Sequence, residues 1–137
     1  MKQLFNTYVP DGFGTLNSYL FVAQPQELVG FLKKVFYAKE INRSINETNG
    51  DISNLILKIG NSCFTISQAR GQFEGMRTVI YLYVEDIDTL YQNTLTHGAT
   101  TVFEPADMPY GDRQGGIIDP AGNYWWISKH LVKKGCH

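Results

Sequence analysis

Glu104 and Asp107 stand three positions apart and could work as paired carboxylates, one giving and one taking a proton. Pro105 lies between them, so both are expected in an exposed, irregular segment. Asp112-Arg113 follows Pro109-Tyr110-Gly111. The planar fork of Arg113 could hold a ligand anion through two parallel hydrogen bonds from a loop over a cleft. The competing and preferred reading is an internal Asp–Arg pair that fixes the loop. His97, His130 and His137 are too widely spread for metal-ligand spacing. His97 precedes Gly98 and suits a helix C-terminus, and His130 is a weak candidate general base at the end of a strand. Cys63 lies in an apolar, strand-like run; without a base beside it the thiol is a small buried hydrophobe, predicted on the helix-facing side. Cys136 sits in the tail. Two cysteines make neither a disulfide framework nor a metal site by themselves. Gly71, Gly75, Gly111, Gly115 and Gly116 form no phosphate-binding fingerprint, because none opens a helix after a strand. Asp119-Pro120-Ala121-Gly122 reads as a turn, with Asp119 bonding the amides ahead of it.

These residues need elements to hold them. Pro10-Asp11-Gly12 is a turn signal that closes an irregular lead-in. The run 16–23 is strand-like, and Pro25 then suits the first position of a helix. Leu28, Val29, Phe31, Leu32, Val35 and Phe36 recur at helical spacing, with Lys33 and Lys34 on the other side. Strands follow at 40–47, 52–59 and 62–68, separated by turns at Asn49-Gly50-Asp51 and Gly60-Asn61. Residues 69–76 read as a linker. The pattern then restarts: a strand at 78–84, a helix at 86–97 ended by Gly98, and strands at 99–103, 115–119 and 124–129, with a long loop over 104–114. Tyr19-Leu20-Phe21-Val22 matches Tyr81-Leu82-Tyr83-Val84, and Gly60-Asn61 matches Gly122-Asn123, both at an offset of 62 residues. This is an internal repeat of strand–helix–strand–strand–strand units.

Alternate residues of a strand point to opposite sides. One side is predicted to carry Asn17, Tyr19, Phe21, Ser62, Phe64, Ile66, Val79, Tyr81, Tyr83, Tyr124, Trp126 and Ser128. The other carries Leu20, Val22, Cys63, Thr65, Ile80, Leu82, Val84, Trp125 and Ile127 and should lie under the helices. An aromatic face with a few polar points suits a small-molecule cleft; an aromatic core or a dimer interface suits it equally.

Bulk composition narrows the field. Hydrophobic residues at 43% and charged residues at 18% fit a globular chain. Twelve basic and thirteen acidic residues give a net charge of -1, so no field draws the chain to nucleic acid or an anionic membrane. No apolar run reaches the roughly 20 residues of a membrane span, and residues 1–10 lack a signal-peptide layout. The expected location is cytoplasmic.

The doubled β-α-β-β-β pattern resembles the vicinal-oxygen-chelate (glyoxalase/bleomycin-resistance/dioxygenase) superfamily, and most of all its PhnB-like, glyoxalase-related branch. Val9-Pro10-Asp11-Gly12-Phe13 resembles that branch's lead-in. So do Gly111-Asp112-Arg113-Gln114-Gly115-Gly116 and Asp119-Pro120-Ala121-Gly122-Asn123-Tyr124-Trp125. The resemblance implies an α+β fold: two tandem βαβββ modules forming half-open mixed barrels with a concave cleft. The modules would span about 15–68 and 77–130 of a single domain. Metal-dependent relatives place a His, Glu or Gln on the first and last strand of each half. By alignment those positions are Asn17, Phe64, Val79 and Trp126, and none is a good ligand for a divalent cation.

The leading expectation is therefore a metal-independent binder, with no metal and no cofactor. It would sequester an aromatic or apolar ligand with Asn17, Tyr19, Phe21, Phe64, Tyr81, Tyr83, Tyr110, Arg113, Tyr124 and Trp126. The alternatives are a lyase or isomerase whose metal is held by unmatched residues such as His130, Glu104 or Asp107, and a non-catalytic dimer that buries its aromatic face. A homodimer follows from the resemblance.

Overall fold

Short runs of β-branched and aromatic residues cannot bury a face alone, and in this chain they assemble into two mixed four-stranded sheets. The structure is a computed structural model that describes residues 8–131. The start of the lead-in, together with Cys136 and His137, lies outside the described residues. The first sheet contains β1 (Tyr19–Val22), β2 (Lys39–Ile45), β3 (Ile52–Ile59) and β4 (Ser62–Gln68), in the order β1-β4-β3-β2. The second contains β5 (Val79–Tyr83), β6 (Thr100–Asp107), β7 (Asp112–Ile118) and β8 (Tyr124–His130), in the order β5-β8-β7-β6. In each sheet the first and last strands in sequence run parallel and the other pairs are antiparallel. Neither sheet closes on itself.

Helix α1 (Pro25–Val35) links β1 to β2, and α2 (Ile87–Thr96) links β5 to β6. Pro25 opens α1 where a missing N–H costs nothing. Its Leu28, Val29, Leu32 and Val35 are fully buried. Asp86 caps α2, its side chain accepting from the Thr89 amide at 3.2 Å. Both helices pack into one continuous core. Trp125 of β8 joins the halves, with ring centroids 5.0 Å from Phe36 and 6.3 Å from Phe64. Phe73, in a 3-10 turn at Gly71–Phe73 between the sheets, stacks on Phe21 at 4.2 Å.

Two expectations are corrected. The segment 104–114 is mostly strand, because β6 runs to Asp107 and β7 begins at Asp112. Pro105 is tolerated because β6 is an edge strand, and the β6–β7 register skips between Phe103 and Ala106. Gly115 and Gly116 allow the close approach: a Cβ on Gly115 would lie 3.1 Å from Pro105 Cγ, and one on Gly116 would lie 2.5 Å from Phe103 Cε1. Gly116→Val is therefore expected to cost about 1–3 kcal/mol in urea unfolding, since Phe103 must leave its seat against Trp126.

The second correction concerns β4. Tyr19 pairs with Thr65 and Tyr81 with Trp126, so the last strands are related by 61 residues and not 62. Phe64 and Ile66 thus turn to the core with Leu20, while Cys63 and Thr65 share the side of Tyr19. The hairpins differ in length: Ile59 pairs with Ser62 across two residues, whereas Ile118 pairs with Tyr124 across five. Cys63 is still buried, under the lead-in. Its amide donates to Gly12 O at 2.8 Å, and a Cβ on Gly12 would collide with its sulfur.

Candidate functional site

Residues paired across neighbouring strands share a face, so register alone assembles the open side of the second sheet. One row is Tyr81, Trp126, Gly116 and Phe103; the next is Tyr83, Ser128 and Gln114; the last is His130 and Asp112. Tyr81 and Tyr83 are 45% and 58% exposed, so their rings are available to a ligand. Trp126 meets Phe103 edge-on at 5.3 Å and Tyr124 at 5.9 Å, and Tyr81 lies 5.2 Å from Tyr83.

Beneath these rings is a polar floor. Asp112 and Ser128 are fully buried and Gln114 nearly so. Tyr110 donates to Gln114 Oε1 at 2.6 Å, and Gln114 Nε2 donates to Ser128 Oγ at 2.8 Å. Tyr81 donates to Asp112 Oδ2 at 2.8 Å, and Tyr83 reaches the same oxygen at 3.3 Å. His130 Nδ1 lies 2.7 Å from Asp112 Oδ1. Burial pushes the Tyr81 phenol up to about 12, with a bond from Ser128 opposing and the bond to Asp112 adding to the rise. Burial also raises Tyr110, helped by neighbouring Tyr81 and Asp112. Tyr81 therefore stays a protonated donor at neutral pH.

The ten residues predicted for ligand binding divide. Tyr81, Tyr83, Tyr124 and Trp126 lie on this face, and Tyr110 joins them through Gln114. Tyr19 and Phe21 belong to the first sheet, where Tyr19 shares a 2.7 Å hydrogen bond with Ser67 and Phe73 covers Phe21. Asn17 is exposed in the lead-in, tied to the amide and carbonyl of Gly14 at 2.8 Å each. A cavity of about 390 Å³ at the seam is lined by Asn17 and Leu16 from the first half and by Tyr81 and Tyr83 from the second. Phe64 packs in the core and also lines this cavity. Arg113 faces the helix side, because it pairs with Lys129 one position out of phase with Asp112.

Arg113 holds Asp88 of α2 through two bonds of 2.9 and 2.8 Å and Asp107 through one of 3.1 Å. This is the internal pair preferred from sequence, made with other acidic residues and on the opposite side from the aromatic rings. The guanidinium holds the Asp88 carboxyl below its ordinary value. A depressed carboxyl stabilises the fold above the usual carboxylate range and loses that effect as pH falls through its folded value. Arg113→Met is thus expected to lower the urea midpoint at pH 7, with the difference shrinking only as pH falls below the ordinary Asp value and through the depressed folded one. Ligand binding on the opposite face should not change.

Asp112 and Gln114 were hidden by the expectation of a loop. Extending the period-two alternation back from Gly116 through Gln114 to Asp112 was the signal that could have found them. Asp119 is structural: it accepts from Ala121 N at 2.8 Å, Asn123 N at 3.1 Å and Trp125 Nε1 at 2.8 Å.

The metal positions of the resembled family do not fit a divalent ion. Asn17 is engaged with its own turn, Phe64 points to the core, and Val79 and Trp126 offer no lone pair. Thr65, the register counterpart of Trp126, brings only a neutral hydroxyl. Among the described residues no three His, Cys, Asp or Glu side chains converge as a metal-binding group.

The model of the Glyoxalase/Bleomycin resistance protein/Dioxygenase superfamily matches residues 13–127. An uncharacterised protein of Mycobacterium bovis is 29% identical over 125 residues, covering 83% of this chain and 82% of its own. The fosfomycin resistance protein FosX of Listeria monocytogenes has a similar fold, with TM-score 0.70 and 17% identity over 88% of this chain and 94% of its own. The PhnB protein of Bacillus cereus does too, with TM-score 0.65 and 17% identity over 83% and 98%.

Proposed function

Given that the chain belongs to the glyoxalase/bleomycin resistance protein/dioxygenase superfamily, we propose that it binds a small planar ligand without a metal, on the open side of its second sheet. The observation that carries this reading is the layer of Tyr81, Tyr83, Tyr124 and Trp126 over a buried polar floor. Rings supply apolar area, about 25 cal/mol per Å² buried before the cost of association, and the floor fixes orientation. A cavity of about 390 Å³ at the seam adjoins this face through Tyr81 and Tyr83 alone. No cofactor is part of the proposal, and the location proposed is cytoplasmic; among the described residues no helix is long and apolar enough to cross a membrane.

The metalloenzyme alternative would hold its metal on unmatched residues such as His130, Glu104 or Asp107. Asp107 pairs with Arg113 on the helix side, whereas His130 pairs with Asp112 on the open side. A homodimer is proposed as well, since β1 and β5 end their sheets and Val79 is 62% exposed.

The test is quenching of tryptophan fluorescence by planar aromatic probes, run beside metal analysis of protein purified without chelator and light scattering. Saturable quenching in metal-free protein is expected. Stoichiometric metal, or no saturable quenching by any probe, would overturn the reading, and a monomeric mass would remove the dimer.

A further inference from the structure

The hydrogen bonds beneath the second sheet's aromatic face order its phenols. Tyr110 donates to Gln114, and Gln114 to Ser128, the register partner of Tyr83. Tyr81 and Tyr83 both donate to Asp112, which is fully buried. The Tyr81 and Tyr83 phenol protons are therefore committed inward, toward a carboxyl group. The Tyr83 side chain is 58% exposed, so its oxygen can be reached by an incoming donor. The rows of this face contribute no Lys or Arg: Arg113 and Lys129 pair with each other on the opposite side. A ring bears negative charge on its face, so Tyr81, Tyr83 and Trp126 favour a cation over an anion.

We infer that the site selects planar aromatic ligands bearing a protonated amine or another N–H donor and rejects anionic ones of the same shape, with Tyr83 and Tyr81 as the accepting groups over Asp112. This rests on the proposed binding role and narrows its ligand class. The geometry gives it two independent supports: the donation of both phenols to the buried Asp112, and the placement of Arg113, the residue that could have received an anion, on the far side. The raised Tyr81 phenol is consistent with both, since it keeps that hydroxyl a donor to Asp112 and not an anion.

Three probes with one ring system separate the terms: 1-naphthylmethylammonium, 1-methylnaphthalene and 1-naphthoate, each titrated by tryptophan quenching at pH 7. The ammonium is expected to bind at least about tenfold more tightly than the naphthoate, the ratio one charge-assisted hydrogen bond supplies. Tyr83→Phe keeps the ring and should reduce ammonium affinity about tenfold while leaving 1-methylnaphthalene unchanged. The side chain is more than half exposed, so the variant should fold, and circular dichroism checks this. Equal or tighter binding of naphthoate by the wild-type protein sinks the inference and leaves the binding role standing. Loss of 1-methylnaphthalene affinity in Tyr83→Phe equal to the ammonium loss also sinks it. Failure of all three probes to bind removes the binding role and this inference with it.

Discussion

Trp125→Ala is expected to lower the unfolding free energy by about 3–5 kcal/mol, the range of large aromatic deletions in a packed core. Trp125 is 1% exposed and is the ring through which β8 touches both Phe36 and Phe64 of the first half. Its removal opens a cavity where the halves meet. It also takes the Nε1 donor from Asp119, which the indole holds at 2.8 Å. Burial raises the Asp119 carboxyl above its ordinary value, opposed by that indole bond and by backbone amides. A raised carboxyl opposes folding once ionised, and that opposition is relieved as pH falls through the folded value. Trp125→Phe separates the two effects. It restores most of the ring and loses only the bond, so its cost should be about 1–3 kcal/mol, larger at pH 7 than in mild acid. Urea unfolding of both variants at two pH values measures this. A cost for Trp125→Ala below about 1 kcal/mol would mean that the halves do not depend on this contact.

Trp126→Ala, one position along, should behave in the opposite way. Trp126 faces the open side beside Tyr81 and over Gly116, and meets Tyr124 and Phe103 edge-on. Its loss is expected to weaken planar-ligand binding at least about thirtyfold, the scale of an aromatic hot spot. Stability should fall by less than in Trp125→Ala. Because the second tryptophan remains as a reporter, direct dialysis of the ligand is the better measurement. Retained affinity in Trp126→Ala would move the binding surface elsewhere, to the first sheet or the seam.

The adjacent tryptophans also show how much could be read before the fold was known. Both helices, the repeat and the existence of all eight strands followed from local pattern, and β3 and β4 have the expected limits. Pro25 and Gly98 act where their chemistry placed them, Gly98 with a φ of 105°. The opposite orientations of Trp125 and Trp126 were legible because period-two alternation held from a strand of certain extent. The same rule failed for Phe64. It was anchored on Gly60-Asn61 and Gly122-Asn123, which look alike but belong to hairpin loops of two and five residues.

Sequence by itself determined most of what local backbone geometry controls: where the helices and strands lie outside the 104–114 segment, and which residues alternate within them. Its doubled β-α-β-β-β pattern and the runs 9–13, 111–116 and 119–125 also carried the family resemblance. Only tertiary structure decided register and hence side. Register comes from pairing between residues distant along the chain, and a slip of one residue exchanges the two faces of a strand. That is why Asp112, and not Arg113, lies beneath the tyrosines, and why Phe64 is core. It is also why the burial that raises Tyr81 and gathers His130, Gln114 and Ser128 around Asp112 could not be read one strand at a time.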